Sequence, residues 1–481
     1  MKKCIFWIVF ALMGLAFSQL SEAQSFDVSF DHAAFFSPEM GPYVETYLSV
    51  NGNSLVYKLN NDNFYEAAVE TTLVFKNANQ VKEFRKFKVM SPALADTTTI
   101  FPDLSEMQRI PIPEGVYNFQ LQVRDLNASD TTLPFKHSGL ITVNFPKNQL
   151  SISDMELVEQ YAPAYKENIY VKGETEYKPY VSHIIPKDMK SIKVYAEVYN
   201  AAYEFGPIED FLVLFHIERV HTSKPINEFS SIQKETAHNV NVIFKELSIA
   251  GLPAGNYYLV IELRDKKDNS VLLTKKFFQR ESSLKQKNTL NVSGVKVPQA
   301  FARRYQNADT LVYYLTMLLP ISDSAEMHFI DQQEQARNLP LMQQFLYQFW
   351  KERNQKHPEL AWNDYLTLVS IVDQQYKTDN LPGFKTDRGR IFLQYGPPIN
   401  VYAENDESGA KPYEIWHYYR IANQNNLKFV FVQSTNDAND FILVHTNVMG
   451  KKNNPDWEHE IYLNPVKNKV RSKAREYFEE Y

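Results

Sequence analysis

Pro382-Gly383-Phe384-Lys385-Thr386-Asp387-Arg388-Gly389-Arg390-Ile391-Phe392-Leu393-Gln394-Tyr395-Gly396-Pro397-Pro398 is the stretch on which the reading of this chain turns. Its glycines and prolines predict a turn that launches a short strand. Arg390, Phe392 and Gln394 would share one face of that strand and Ile391, Leu393 and Tyr395 the other. Pro397 and Pro398 would end it, since proline donates no ladder hydrogen bond. Within the turn Asp387 is expected to accept the Gly389 N–H, and Arg390 to pair with Glu414 across the sheet.

Working outward, a polar loop leads to Pro412-Tyr413-Glu414-Ile415-Trp416-His417-Tyr418-Tyr419, and further strands fall at 427–432 and 441–446. Together they read as an antiparallel meander of about four strands. Before the turn the period is helical. Ser322-Asp323-Ser324-Ala325-Glu326 marks a helix start, Pro340 opens a second helix, and a third runs from Pro358 or Glu359 to about Lys377. Proline fits a first helical turn, where its missing N–H has no intrahelical partner. The apolar run 310–319 fits a helix or a strand equally well. Helices on a small sheet define an α+β domain at 299–450, helical over 299–380 and sheet over 383–446. The tail, 451–481, alternates Lys467, Lys469, Arg471, Lys473 and Arg475 with Val466, Val470, Ala474 and Phe478, which predicts a short amphipathic helix.

The N-terminal part contains an internal repeat. Pro113-Glu114-Gly115-Val116-Tyr117 and Pro253-Ala254-Gly255-Asn256-Tyr257 begin 140 residues apart. Each opens an alternating strand that ends in Arg-Asp, at Arg124-Asp125 and Arg264-Asp265. A Pro-x-Gly turn entering such a strand is what an immunoglobulin-like sandwich contains, and one sandwich of ~100 residues fits each period. The expected fold is therefore multidomain: two tandem immunoglobulin-like β-sandwiches at 24–150 and 151–287, then the α+β domain. A polar segment at 279–287 closes the second sandwich.

The chain has 481 residues, 44% of them hydrophobic and 14% aromatic, which excludes a disordered protein. A net charge of −6 recommends neither nucleic acid nor an anionic membrane as partner. Lys2 and Lys3, an apolar run from Ile5 to Phe17, and Ser21-Glu22-Ala23 read as a signal peptide over 1–23. Export to the periplasm or the cell surface follows, with no transmembrane segment in the mature chain. Removing that segment changes the charge to −7 and removes Cys4, the only cysteine. Disulfides and thiolate chemistry are then excluded.

The motif Gly383-Phe384-Lys385-Thr386-Asp387, with Arg388-Gly389-Arg390, Tyr395-Gly396-Pro397-Pro398 and Pro412-Tyr413-Glu414-Ile415-Trp416, resembles the GWxTD-domain family of bacterial envelope proteins. Phe384 stands where that motif has tryptophan, keeping an aromatic plug without the indole N–H. The resemblance implies export and upstream β-modules, and it carries no activity with it.

Chemistry has two readings. In one, Asp387, Glu414 and His417 form a catalytic cleft of an envelope-polymer hydrolase or transferase, and Arg388, Arg390 and Trp416 bind substrate. In the other, Gly383, Phe384, Thr386, Asp387, Gly389, Gly396, Pro397 and Pro398 build structure, and the protein binds a protein or glycan of the envelope without catalysis. His417 and His445 lack a third ligand at metal spacing, and His216 and His221 are weaker still. Phosphate-cradling loops, dinucleotide fingerprints and nucleophile elbows are absent, so no cofactor and no metal is expected. The non-catalytic reading is the leading one.

Overall fold

The computed structural model describes residues 27–77, 80–96, 101–129, 132, 134–220, 224–281, 297, 301–421, 424–448, 451–462 and 472–480. Residues 1–23, expected to be a signal peptide, His221, residues 282–287 of the closing segment, and residues 463–471 and 481 of the tail lie outside them. The described chain is mostly β, with 45% strand and 22% helix.

Among the described residues five larger sheets carry the fold, beside a two-stranded one formed by Lys58–Leu59 and Tyr65–Glu66. The first has three strands, Val28–Ser37, Gly41–Val50 and Leu104–Pro111. The second has four, ordered Gln80–Met90, Ala68–Asn77, Gly115–Asp125 and Phe135–Val143. Their facing residues, among them Phe30, Leu48, Leu73, Phe119 and Leu121, form one core. A third sheet centres on Ser191–Tyr199, and a fourth is ordered Ile184–Ile185, Ser270–Arg280, Gly255–Arg264, Asp210–Arg219 and Pro225–Thr236. These two share another core around Val194, Phe215 and Ile261.

The repeated motif occupies corresponding strands, and both copies are tied in the same way. Gly115 and Gly255 have φ of +156° and +152°, a region that favours glycine. The Tyr117 hydroxyl donates to the Pro113 carbonyl at 2.8 Å, and that of Tyr257 to Pro253 at 3.0 Å. At the far ends Asp125 and Asp265 each accept the N–H two residues on, from Asn127 and Lys267, both at 2.8 Å. The proline-to-aspartate spacing recurs because both ends of the strand need these bonds.

The first sheet is buried on both faces. Its second face, with Phe35, Tyr43 and Tyr47, packs on Val158, Tyr177 and Tyr195 of the third sheet. Within that apolar layer Lys172 Nζ lies 2.7 Å from Glu45 and 2.6 Å from Glu156. It also sits 3.9 Å from the Phe35 ring centroid. Arg109 reaches Glu45 at 2.8 Å, and the Tyr47 hydroxyl donates to Glu45 at 2.6 Å. Burial pushes the Glu156 carboxyl up despite Lys172, with Glu45 adding repulsion.

The C-terminal helices start where the sequence places them. Asp323 and Glu326 form a reciprocal capping box at the head of Ser324–Ala336. Asn338 caps Leu339–Arg353, and Pro358 opens Pro358–Tyr376. The ambiguous run resolves as a helix, Ala308–Thr316, followed by a 3-10 turn at Leu319–Ile321. The tail helix occupies Lys473–Glu480.

One element is corrected. Residues 390–395 are not a strand: Asp387–Tyr395 is an α-helix, and the fifth sheet begins only at Asn400–Glu404. Arg388, Ile391 and Phe392 are buried at i, i+3 and i+4, with Tyr395 on the same stripe packed against the core, so a helical period was present beneath the apparent alternation. The sheet continues with Tyr413–Ile421, Gln424–Gln433 and Phe441–Thr446, antiparallel throughout.

Because Lys172 is enclosed by two carboxylates, Lys172→Met is expected to destabilise the chain by about 3–5 kcal/mol in urea unfolding. A loss below about 1 kcal/mol would mean that the cluster does not hold the two sheets together.

Candidate functional site

The motif builds a joint between the helices and the fifth sheet. Pro382 leads into a 3-10 turn at Gly383–Lys385, and Thr386 then caps the following helix. The Thr386 hydroxyl accepts the Gly389 N–H at 3.1 Å and donates to the Gly383 carbonyl at 2.8 Å. The expected Asx-type bond from Asp387 to Gly389 is thus made by threonine, because a cap must precede the first helical residue.

Neither Gly383 nor Gly389 has positive φ, so their role is close approach. A Cβ on Gly383 would lie 2.7 Å from the Asp373 Cα, and one on Gly389 2.8 Å from Val372 Cγ1. The motif helix therefore presses through Gly389 onto Gly383 and the helix Pro358–Tyr376. Phe384 is buried with its ring edge-on to Tyr313 at 5.7 Å.

Asp387 faces the sheet. One carboxylate oxygen accepts the Leu443 N–H at 2.8 Å, and the other accepts from Arg390 at 2.7 Å. The expected partner of Glu414 was Arg390, yet that side chain is half exposed and stays on its own helix. Arg388 takes the role instead, since two residues of helix, about 200° of rotation, set it on the side opposite Arg390 and facing the core. It meets Glu414 at 2.8 Å and the Asn439 carbonyl at 2.6 Å. Its guanidinium lies 4.2 Å from the Phe441 ring centroid and 5.2 Å from that of Tyr376. The Trp416 indole donates to the other Glu414 oxygen at 2.8 Å. Burial raises the Tyr376 hydroxyl to about 12, with Glu414 adding to the shift.

Gly396, at φ +81°, ends the helix. Its carbonyl accepts from the Tyr418 hydroxyl at 2.9 Å, and the Tyr395 carbonyl accepts from Asn256 at 3.0 Å. Asn256 follows Gly255 of the repeated motif, so the second copy of the repeat meets the C-terminal end of the motif helix.

Strand parity separates the candidate catalytic residues. Glu414, Trp416 and Tyr418 point to the helices, whereas Tyr413, Ile415 and His417 point to the opposite face. Asp387 and Glu414 are brought together through Arg388, and His417 is not with them. Clefts of about 470 Å³ and 480 Å³ open elsewhere. One is lined by Phe301, Tyr347, His357 and Leu360, the other by Asp27, Asp103, Glu106 and Lys178. None of Asp387, Glu414 and His417 lines either.

His417 belongs to a second cluster that the sequence reading missed. Its ring lies 6.0 Å from that of His137 on the second sheet, and Lys428 is its cross-strand neighbour. His137, His417 and Lys428 are buried. Lys428 Nζ donates to the Phe478 carbonyl at 2.6 Å, linking the tail helix to the sheet. Burial holds the Lys428 amine down at about 7, helped by Lys136. It also depresses His137, with His417, His32, His183 and Lys428 adding to the shift. A lysine inside the apolar run 427–432 was the available signal. His445 stacks on Trp457 at 5.7 Å and accepts the Asn454 N–H. His216 pairs with Glu218 at 3.0 Å. Among the described residues no three His, Cys, Asp or Glu side chains converge as metal ligands.

The fold and this joint define a stack of β-layers carried on an α+β module. Residues 275–461 match the family model described as the GWxTD domain, so the resemblance extends from the last strand of the fourth sheet to the start of the tail. No curated protein matches the chain. Among solved structures, a calcium-binding mutant of Bacteroides uniformis beta-glucuronidase 2 aligns at 8% identity over 49% of this chain and 26% of its own, TM-score 0.17. This chain thus spans about a quarter of that protein. The fibronectin(III)-like modules of Clostridium thermocellum CbhA align at 11% identity over 50% of this chain and 85% of theirs, TM-score 0.14. At such scores neither fold nor function is carried across.

The sign of the pH dependence at the second cluster follows from burial. His137 is held neutral in the folded chain, so below the ordinary histidine value of about 6.5 the unfolded chain gains a proton that the folded chain refuses. Its contribution is complete above that value and is lost as pH falls, at about 1.4 kcal/mol per pH unit. Lys428 acts with the same sign between about 10.4 and 7. Glu156, raised by burial, acts oppositely between about 4.5 and 7. The test is therefore a difference of differences: the wild type should lose about 1 kcal/mol more than His137→Leu between pH 7.5 and 5.5. Equal losses would contradict this.

Proposed function

We propose that the chain is an exported, non-catalytic protein of the bacterial envelope that binds a protein or glycan partner. In this reading two immunoglobulin-like sandwiches at 24–150 and 151–287 present the binding surface. The GWxTD module at 299–450 and the tail at 451–481 form their base. One observation carries it: Arg388, Glu414, Trp416, Thr386 and Asp387 direct most of their polar atoms to one another, to Arg390 and to backbone, with Arg388 Nε left buried and unpaired. A catalytic set needs a reacting position within reach of its donors and acceptors. Here the motif encloses an ion pair between packed rings, and the clefts lie elsewhere.

Export is supported by the basic head, apolar run and small residues of the first 23 positions. No helix among the described residues is long and apolar enough to cross a membrane.

Incubating the purified chain with cell-wall and outer-polysaccharide preparations tests the non-catalytic reading. Release of soluble fragments should stay at the buffer blank, and Asp387→Asn should change only the melting temperature. Fragment release that Asp387→Asn abolishes at unchanged melting temperature would replace this reading with the hydrolase one.

A further inference from the structure

The face that the first sheet turns to the third changes character along its length. At one end Phe35 and Tyr43 are sealed against Val158, Tyr177 and Tyr195. At the other, cross-strand register sets Ser29, Ser49 and Ser105 side by side on Val28–Ser37, Gly41–Val50 and Leu104–Pro111. Just beyond them Asn51 donates to Asp27 at 3.2 Å, and the Gly52 N–H donates to Asp103 at 3.1 Å. The three serines, Asn51 and both aspartates line the cleft of about 480 Å³. No hydrogen bond to another described residue occupies the Ser29, Ser49 or Ser105 hydroxyl.

The opposite wall comes from the third sheet. Its strand Glu156–Pro163 carries a bulge between Val158 and Gln160, with Glu159 as the extra residue. Bulges bend a strand and re-aim a side chain, and here Glu159 joins Tyr170 and Lys178 along the cleft. Burial raises the Tyr170 hydroxyl, and Glu106 of the first sheet adds to the shift across the gap. The cleft therefore lies between the two sandwiches, and its volume falls within the range of about 300–1,000 Å³ usual for ligand pockets.

We propose that this cleft holds a neutral sugar residue of a glycan, with its hydroxyl groups bonded to the row of Ser29, Ser49 and Ser105. A serine hydroxyl both donates and accepts, and adjacent strands repeat it every ~4.8 Å, so the row can follow the hydroxyls around a sugar ring. Asp103 and Glu106, whose contacts are the Gly52 N–H and the Gln108 amide, offer further acceptors. Among the described residues of the lining, Asp103, Glu106 and Glu159 stand against the single cation Lys178, which is paired with Glu159 at 3.3 Å, and this disfavours an anionic ligand. The carboxylates do not converge as a metal site among the described residues. Serine, aspartate and glutamate are depleted where proteins meet, which favours a sugar over a protein partner. This inference rests on the proposed binding role and names its partner class and its place.

The test is retention of the full purified chain on immobilised gluco-, galacto-, manno- and xylo-oligosaccharides, with polygalacturonate and poly-lysine beside them. At least one neutral series should retain the wild type, and raising the salt should leave that retention unchanged, because no ion pair is broken. Polygalacturonate and poly-lysine should retain it more weakly. Ser29→Val with Ser105→Val should weaken retention about tenfold at an unchanged melting temperature, since valine suits a strand and replaces each hydroxyl with methyls. Ser105→Trp, which fills the cleft, should abolish retention. Ser230→Trp, exposed on the fourth sheet, should be retained like the wild type. The inference is overturned if no neutral series retains the chain, or if retention survives both cleft variants, which would leave the binding role standing elsewhere. It is equally overturned if poly-lysine binds more tightly and salt releases it, which would assign the cleft to a basic peptide. Sugar released from the surface is read in the same eluates, so catalysis would overturn the non-catalytic reading while leaving this one standing.

Discussion

A single buried guanidinium, that of Arg388, is the contact on which the C-terminal half depends. It comes from the first turn of a helix and ends between Tyr376, Phe441 and Glu414. That position requires the helix to lie close to both Pro358–Tyr376 and the fifth sheet. Gly383 and Gly389 allow the first approach because neither carries a Cβ, and Asp387 secures the second through the Leu443 N–H. A buried charge deprived of its partner is strongly destabilising, so the pair enforces the geometry around it even where it adds little net stability.

The same logic recurs where larger units meet. Lys172 sits between Glu45 and Glu156 in the layer joining the first and third sheets. Lys276 pairs with Asp31 at 2.7 Å, and Arg219 with Asp364 of the helix Pro358–Tyr376 at 2.9 Å. Asn256 reaches the end of the motif helix, and His137 meets His417. Polar groups shielded from water at each junction specify how the surfaces align, while the apolar residues around them supply the driving force.

Much of the architecture was legible in the sequence, and the misses have physical reasons. The repeat was readable because the turn glycine supplies a positive φ and the tyrosine and aspartate each make a bond, which together fix their spacing. Helix starts at Asp323 and Pro358 were readable because caps are local. The motif helix was misread because Ile391, Leu393 and Tyr395 alternate, and a nine-residue segment cannot separate period 2 from period 3.6 without its cap. Thr386 was that cap, and Pro397-Pro398 pointed as well to a helix end as to a strand end. The Arg388–Glu414 pair was missed for the same reason: the wrong period selected Arg390. Glu45 sits in a run that reads as an ordinary strand, and only the packing of distant segments shows it to be enclosed; for Lys428 the lysine inside the apolar run 427–432 was a signal, but its partners come from distant segments.

The motif acts as a joint and not a reaction centre, and a double-mutant cycle of Arg388→Met and Glu414→Gln, read by urea unfolding, tests this most directly. A coupling energy of about 1–3 kcal/mol between the two positions is expected, with the double substitution costing less than the sum of the two single ones. Additive effects within about 0.3 kcal/mol would show that the pair does not hold the helix to the sheet, and would contradict the account.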